Sequence, residues 1–534
     1  MRLPTVVTVL VALCGVLIFY TIRNRVAEEL FWNADEALPV FLIALAGALV
    51  FVRVGYGELP NVYRILTRTT ALGVLAYLIW EPPDFTLANV EHARLAAYVE
   101  WGYWVGLAAA VVSLWRPSLL YPAALYVIAS RFVVDDISGF GLSTLDVRYM
   151  AEMAQFLAMG TCGLALMRLG QSHWGGREGY RILDMIDLRL LALCLAFIAT
   201  GFHLGNYFWS GVAKVGLGPH PWTWALENQT QNIMLAALKR GVLPTGALPQ
   251  TTQAIFDGFG QIVTLSNVFV VLTQVSAIFA VLRVNWLRIA TLAYDVLHIG
   301  IFLIGGLFFW PWIWNNVSIL LAVRRTSDQE IGPAPKLCCI VAILLGGFSL
   351  LGGSARLAWW DVVDIKIPMI QAQVEGGDWV DVPVSYFLSH SYAASHGYFD
   401  MARTQGHYEP TIWGSVPSSY QRAKTSGTCP EPPHLDTVES EQAQAQRLAR
   451  VKRFIRAHHR KIMERVDENG HYDTYLRSHH HPSNPWMYDA FNSLDLRKIK
   501  RYRLLTQSVC MSMSDGRLAE RVNKEDSVNI EIND

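Results

Sequence analysis

The sequence predicts a polytopic α-helical membrane bundle of about eleven helices, followed by a C-terminal exported α+β domain that is β-rich. Of its 534 residues, 52% are hydrophobic and only 16% are charged, whereas a soluble globular protein carries about 25% charged residues. The shortfall lies in residues 1–354, where long apolar runs follow one another, while residues 355–534 have the composition of a soluble domain. Because lipid-exposed backbone must satisfy its own hydrogen bonds, such long runs predict helices rather than a barrel.

The apolar runs of residues 1–354 define the predicted membrane spans. A helix needs about 20 apolar residues to cross about 30 Å of hydrocarbon. The first run could be a signal peptide, but it lacks a clear small-x-small cleavage site and is longer than a usual signal region, so we predict an uncleaved helix. Runs that predict one crossing each are Pro4–Ile22, Leu38–Val52, Ile65–Trp80, Leu95–Trp115, Leu119–Val134, Tyr149–Leu169, Leu190–Ser210, Ile262–Leu282 and Leu337–Leu351.

The apolar stretch 289–323 is too long for one crossing, and the motif "WPW" at 310–312 interrupts it. A proline inside a helix removes one hydrogen bond and clashes with the preceding turn. We therefore predict two helices here, with "WPWIWNN" near the outer membrane face, on the same side as Lys214. These two helices bring the predicted total to eleven.

Basic and acidic loops alternate along residues 1–354. An excess of Lys and Arg in short loops marks the cytoplasmic side. The amino terminus is therefore predicted to be cytoplasmic and, with an odd number of helices, domain 355–534 is predicted to be periplasmic or lumenal, in a multi-pass protein of the inner membrane. The basic loops contain Arg53, Arg64, Arg116, Arg168, Arg177, Arg181, Arg283, Arg288, Arg324, Arg325 and Lys336, and the acidic loops contain Glu28, Glu29, Asp35, Glu36, Glu81, Asp84, Glu91, Asp135, Asp136 and Asp146.

Charge and cysteine content exclude some functions and leave others open. The formal net charge is zero, so no basic excess argues for a nucleic-acid partner. Cys429 and Cys510 are the only cysteines of the predicted exported domain. An exported pair can form a disulfide, but sequence does not place their Cα atoms within bonding range, so a disulfide and two free thiols both remain open.

The predicted exported domain contains recognisable strands and one helix. Residues 370–384 alternate around a Gly-Gly turn and predict a β-hairpin, and residues 503–513 and 527–532 predict further strands. Residues 438–466 predict an amphipathic helix with a basic face. The histidines of the predicted exported domain include the run 479–481. No Cys or carboxylate stands at a recognisable ligand spacing, so we predict no metal site.

Polar side chains end the seventh predicted span. His203, Asn206 and Ser210 are three and four residues apart and share one helical face, which Gly211 and Lys214 extend by one turn. Polar groups near a bilayer are costly and usually face a bundle interior or a cavity. Two alternatives remain open: the Lys214 side chain reaching to the outer interface, and the nearby tryptophans acting as ordinary interfacial aromatics.

Two motifs in this region resemble a known family. The segment "YFWSGVAK" at 207–214 is similar to the "YF-x-x-GV-x-K" segment of vitamin K-dependent gamma-carboxylases and of their relatives, the horizontally transferred transmembrane (HTTM) domain family. His298, followed by Gly305 or Gly306 and Phe308, resembles a second family motif. The resemblance covers about residues 35–325 and implies a helical membrane core with a β-rich domain on the lumenal side.

The resemblance implies a chemistry for Lys214. In the carboxylases a lysine at this place deprotonates reduced vitamin K, and a lysine can act as a base only when it is neutral, which a desolvated site favours. We therefore expect reduced vitamin K or another quinol as cofactor, with the bilayer, a lipid-soluble quinone and an exported peptide or protein substrate as partners. The expected catalytic residues are Lys214, His298 and His203, and the expected cofactor-binding residues are Tyr207, Trp209, Asn206 and Gly211.

The sequence departs from the carboxylases in two places. The stretch that carries an additional histidine in the family is "RYMAEMAQFLAM" at 148–159 here and contains no histidine, and Ala213 stands where the family has another lysine. Glutamate carboxylation itself is thus in doubt, while a related oxidation or proton abstraction stays open. The alternative function is a non-catalytic lipid- or quinone-binding scaffold, or an accessory subunit of a membrane complex.

The charge alternation generates a topological prediction. A membrane-impermeant thiol reagent should label Cys429 and Cys510 from the outside of intact cells, directly or after reduction, because both lie in the domain predicted to be exported. Labelling is read by mass spectrometry of the purified chain. If both cysteines react only after the cytoplasmic side is opened, the orientation and the odd helix count are wrong together.

Overall fold

The computed structural model describes residues 2–32, 37–82, 93–138, 145–176, 181–348, 353–395, 399, 415–416, 420–421, 424, 429, 440–475 and 481–532. Its N-terminal part is helical. The first helices are α1 (Leu3–Trp32), α2 (Ala37–Val50), α3 (Asn61–Trp80), α4 (Ala93–Ser113), α5 (Leu120–Ser138) and α6 (Leu145–Trp174). After them follow α7 (Leu188–Val215), α8 (Thr223–Glu227), α9 (Ile233–Lys239), α10 (Pro249–Val275), α11 (Val284–Gly305), α12 (Trp310–Val323) and α13 (Pro333–Leu345).

Six of these helices are long and apolar enough to cross a membrane, within the part of the chain that is described: α1, α3, α6, α7, α10 and α11. The apolar helices α2 and α13 are shorter. These helices support a multi-pass membrane protein. The predicted number of about eleven crossings is not confirmed, and the cytoplasmic and outer sides stay predictions.

The predicted break in the stretch 289–323 is confirmed. Helix α11 ends at Gly305, and Gly306 has a left-handed backbone with φ 66°. A Cβ atom at Gly306 would lie 2.4 Å from the carbonyl oxygen of Val242, so glycine is required there for its conformation and for the close approach. Pro311 lies in the first turn of α12, where its missing N–H costs nothing. The glycine ends one helix and the proline begins the next.

Helix α7 lies at the centre of the bundle. In its most apolar window 83% of the residues are buried, against 17% in α10, which is peripheral. It packs against α1, α6, α10 and α13. The approach of α13 is close because Gly201 faces Cys339 and Ala342 of that helix. Small residues at such a crossing allow two backbones to come together without a hydrophobic driving force.

The C-terminal part contains a four-stranded antiparallel sheet with the order β3-β2-β5-β6. Its strands are β2 (Asp364–Val374), β3 (Val380–Asp381), β5 (Ile499–Ser514) and β6 (Arg517–Glu531); the short strands β1 (Trp360–Asp361) and β4 (Ser415–Val416) pair separately. Helix α14 (Glu441–Met463) packs against this sheet. The predicted hairpin, strands and helix are therefore confirmed.

Hairpin β5–β6 is longer than the sequence predicts. Its two-residue turn, Asp515 and Gly516, has positive φ at both positions, as a type I′ turn requires. The strands pair from Arg501 with Glu531 to Ser514 with Arg517. Much of β6 is polar and exposed, so its residues lack the apolar alternation that marks a strand in sequence.

Cys429 and Cys510 form a disulfide, with their Cα atoms 5.7 Å apart. The sequence left this open. Cys510 lies on β5, where it pairs with Arg521 of β6. The Arg521 side chain also donates to the carbonyl oxygen of Cys429 at 2.7 Å. The bond attaches Cys429 to the sheet.

Sheet and bundle share an apolar interface. Met234 and Leu235 of α9 are buried together with Ile365 and Ile367 of β2 and Val509 of β5. At the edge of this interface the amine of Lys239 binds the Glu520 carboxylate at 2.5 Å. The C-terminal part is therefore packed onto the bundle over a continuous surface.

The crossing of α7 and α13 generates a stability prediction. In Gly201→Ala the new Cβ would lie 2.6 Å from the backbone oxygen of Cys339, so the helices must separate. We expect a loss of about 1–3 kcal/mol of stability, the usual range for overpacking, read as a lower Tm in detergent. The matched control is Gly163→Ala in α6, where a Cβ meets nothing within 4 Å. Equal behaviour of the two variants would show that Gly201 does not set the crossing.

Candidate functional site

The candidate site is built on α7. The helix begins at the N-cap Asp187, whose side chain accepts hydrogen bonds from the backbone N–H groups of Arg189 and Leu190. Up to His203 its buried side chains are apolar apart from Thr200, and its last three turns carry several buried polar groups. These groups divide into two adjacent stripes. His203 and Tyr207 face α11 and α12, while Asn206, Ser210 and Lys214 face the segment 355–357.

The first stripe is part of a buried hydrogen-bonded chain. His203 Nε2 donates to Asn316 Oδ1 at 2.9 Å, and Asn316 Nδ2 donates to the Tyr207 hydroxyl at 3.0 Å and to Asp295 Oδ1 at 2.8 Å. The Tyr207 hydroxyl lies 2.9 Å from His298 Nε2. Since this hydroxyl accepts from Asn316, its own proton is available for His298. Asn316 thus joins two histidines, a tyrosine and a carboxylate.

Aromatic rings enclose this chain. Tyr207 stacks on Tyr294 with ring centroids 3.8 Å apart, and Trp312 packs edge-on against His203, Tyr207 and His298. Several buried polar atoms here have no hydrogen-bond partner among the described residues: His298 Nδ1, Tyr294 OH, Trp312 Nε1 and Asn315 Oδ1. Unpaired buried polar atoms are costly. They are therefore positions at which a water molecule or a polar ligand atom would be stabilised.

The second stripe binds the chain that leads into the C-terminal sheet. Asn206 Oδ1 accepts from the Ala355 backbone N–H at 2.8 Å, and Ser210 Oγ accepts from that of Leu357 at 3.0 Å. Ser210 Oγ also donates to the Ala355 carbonyl oxygen at 3.2 Å. The Lys214 amine donates to the carbonyl oxygen of Leu357. Three side chains spaced four residues apart thus hold one extended segment along the end of α7.

The Lys214 amine is buried between indole rings. Lys214 is only 8% exposed. Its Nζ atom lies 5.3 Å from the ring centroid of Trp224 and 6.0 Å from that of Trp359. The Trp224 indole is fixed to the backbone of Trp359, because Trp224 Nε1 donates to the carbonyl oxygen of Trp359 at 2.7 Å. An amine in this position has one carbonyl acceptor and two aromatic faces rather than bulk water.

Asp361 is the acidic group whose charge interacts with that of Lys214. Asn228 Nδ2 donates to its Oδ2 at 2.7 Å, and Trp359 Nε1 donates to its Oδ1 at 3.1 Å. Burial raises the pKa of Asp361 from 3.8 to about 7, while these hydrogen bonds and the charge of Lys214 act in the opposite direction. The Asp361 carboxyl is therefore close to half-protonated near neutral pH.

The predicted site residues fall into separate groups. His203, Tyr207 and His298 come together, but Lys214 lies eleven residues beyond His203 on the same helix, about 16 Å along its axis. Among the described residues, no hydrogen bond joins the Lys214 amine to either histidine. Lys214 is buried rather than directed to lipid.

Two of the expected cofactor-binding residues, Trp209 and Gly211, pack against neighbouring helices. Trp209 Nε1 donates to the carbonyl oxygen of Ile343 in α13 at 2.9 Å, and Arg356 covers its ring. Gly211 faces α10, where a Cβ atom would lie 2.9 Å from Gln274 and Val275.

Sequence reasoning missed the partners of both stripes. Asn316 was visible only as the end of the "WNN" motif, and Asp361 as the acid that follows Trp359 and Trp360. Their partners on α7 are more than a hundred residues away in the chain, so no local pattern connects them.

Comparisons of the chain with protein families, with curated proteins and with solved structures give no match. Among the described residues, no group of three or more His, Cys, Asp or Glu side chains could hold a metal ion. The resemblance to the carboxylases therefore rests on the motifs at 207–214 and 298–308 alone.

Asp361 generates a prediction of pH dependence. Because its pKa is raised in the folded protein, the folded state holds a proton that the unfolded state releases between about pH 4 and pH 7. Stability should therefore fall as the pH rises through this window. Asp361→Asn should show a smaller decrease of Tm between pH 5 and pH 8, because it removes the titrating group.

The control for this prediction is Asp378→Asn, which changes an exposed carboxylate in the loop between β2 and β3. Its pH profile should match that of the wild type. An unchanged slope in Asp361→Asn would show that the pH dependence arises elsewhere.

Proposed function

We propose that this protein is a membrane enzyme in which Lys214 acts as the base in proton abstraction from a quinol, in the manner of the vitamin K-dependent carboxylases that it resembles. The observation that carries the proposal is the state of the Lys214 amine, which is buried, bonded to the Leu357 carbonyl oxygen and flanked by Trp224 and Trp359. A base must be held away from water and must keep an electron pair free.

The neighbouring groups support this role. A neutral amine that donates one hydrogen to Leu357 keeps its lone pair available to accept a proton. Asp361 carries a raised pKa of about 7, and its protonated form offers no full counter-charge to an ammonium group. The Asp361 carboxyl is also suited to take up or release a proton near neutral pH.

The donor set fits a quinol-type ligand. The amine has hydrogens beyond the one that Leu357 accepts, and Trp224 and Trp359 offer flat apolar faces to an aromatic ring. A bound quinol would supply reducing power and an acidic hydroxyl group. In this proposal Lys214 Nζ holds the proton that it receives, and the indoles exclude water. Trp359 is half-buried, so its ring is partly accessible.

The remaining partners follow from the same proposal. The bilayer delivers the lipid-soluble quinone, and an exported peptide or protein is the second substrate. The predicted orientation places Lys214 near the outer face of an inner membrane, with the amino terminus cytoplasmic and the C-terminal domain periplasmic or lumenal. His203 and Tyr207 of α7 form a second buried polar group with His298 of α11. In this proposal the two histidines are further catalytic residues, and Tyr207 binds the cofactor.

A second candidate function is supported by a specific observation. Asn206, Ser210 and Lys214 all bind the backbone of 355–357. In this alternative the lysine attaches the C-terminal domain to the bundle, and the protein is a lipid- or quinone-binding scaffold or an accessory subunit. An arginine could also donate to the Leu357 oxygen, but it cannot act as a base because it stays protonated.

Lys214→Arg therefore separates the two candidates. The full-length protein in detergent is given reduced vitamin K and oxygen, and consumption of the quinol is followed by chromatography. We expect Lys214→Arg and Lys214→Met to lose at least about 100-fold in rate, the contribution of a positioned general base. Tm should be nearly unchanged in Lys214→Arg, because the bond to Leu357 can be remade.

The control is Lys498→Met, which alters a lysine whose side chain is 74% exposed on the C-terminal domain; its rate should equal that of the wild type. Full turnover in Lys214→Arg would refute the role as base. If Lys214→Met lowers Tm, Lys214→Arg restores it and the wild type turns over no quinol, the scaffold is the better account.

A further inference from the structure

A large cavity lies at the end of α7 opposite Lys214. Its volume is about 1590 Å³, and it is an open cavity bordered by the end of α2, the start of α3, the last part of α6, the start of α7 and the end of α12. Six arginines from these separate chain segments line it: Arg53, Arg64, Arg168, Arg189, Arg324 and Arg325. Arginines from three stretches that are far apart in sequence, 53–64, 168–189 and 324–325, thus meet around one space.

The charge of the lining is not balanced by its own acids. Glu58 and Glu330 are its carboxylates. Glu58 forms an ion pair with Arg168, and Glu330 accepts from the backbone N–H of Ser327 in a capping box. Within the part of the chain that the structure describes, the guanidinium groups of Arg189, Arg324 and Arg325 form no hydrogen bond or ion pair. The cavity therefore has an excess of positively charged hydrogen-bond donors that can bind an anion.

Three leucines of the lining lie further along their helices into the bundle than the neighbouring arginines. Leu164 precedes Arg168 by one turn of α6, Leu193 follows Arg189 by one turn of α7, and Leu321 precedes Arg324 in α12. Leu164 and Leu193 are buried, whereas the arginines other than Arg64 are exposed. The cavity thus has a basic rim and apolar walls. This arrangement is complementary to a molecule with an anionic head and a hydrocarbon tail.

We propose that this cavity binds an anionic amphiphile, with a phosphate-bearing head group on the arginines and its acyl chain along the apolar walls. Arginine is the residue best suited to bind phosphate through paired hydrogen bonds. A free phosphate ion would satisfy the rim but would leave the apolar walls in contact with water. Basic pockets between membrane helices are suited to anionic lipid head groups. The proposal is independent of the role of Lys214, which lies at the other end of α7.

Binding of phosphatidylglycerol to the full-length protein in neutral detergent tests the proposal. Native mass spectrometry follows titration with this lipid and, in parallel, with phosphatidylcholine of the same acyl chains. We expect saturable binding of phosphatidylglycerol in preference to phosphatidylcholine. The double variant R324A/R325A should weaken it by about 25-fold, since each basic residue near a membrane contributes about fivefold. Arg189→Ala should weaken it by about fivefold.

Two further arms decide the source of the phosphate and the specificity of the site. Inorganic phosphate at millimolar concentration should not displace the lipid; displacement by phosphate alone would overturn the amphiphile in favour of a free anion. The control is Arg283→Ala, which removes an exposed arginine from outside the cavity lining, in a loop predicted to be on the same side. If Arg283→Ala weakens lipid binding as much as R324A/R325A does, the binding depends on general surface charge, and the proposed site is wrong.

Discussion

The burial of α7 is the constraint on which the rest of the structure depends. A helix at the centre of a bundle has no water for its polar side chains, so each of them needs a protein partner. Asn316 satisfies His203 and Tyr207, and the backbone of 355–357 satisfies Asn206 and Ser210. The same bonds fix α12 beside α7 and connect the bundle to the C-terminal sheet. The position of Lys214 between two indoles follows from this connection.

The two ends of α7 have opposite chemistry. At one end the helix meets Leu357, Trp359 and the sheet, and at the other it contributes Arg189 to a basic cavity. Arginines that the sequence assigns to one side of a membrane thus lie around one space. The C-terminal domain is attached at the opposite end of the same helix. The positions of the arginines and of the C-terminal domain at opposite ends of α7 agree with the alternation of charges along the chain. Thiol labelling tests which end is cytoplasmic.

How much could be predicted from sequence depends on whether the signal is local. The break near Pro311, the hairpin around Gly376 and the basic helix α14 are local patterns, and the structure contains all three. The polar face of α7 was also predicted, but as one surface. It divides in two because Asn316 and the segment 355–357 approach from different directions, which no spacing within α7 encodes. The raised pKa of Asp361 likewise depends on burial by distant residues.

The central claim is that Lys214, Trp224 and Trp359 form a quinol site. The most direct measurement is the quantity of quinone that remains with the protein purified from native membranes, determined by mass spectrometry for the wild type and for Trp359→Ala. The account predicts a quinone retained in an amount comparable to the protein and largely lost in the variant, whose ring no longer offers an aromatic face. Absence of quinone from the wild type, or equal retention by both proteins, would contradict it.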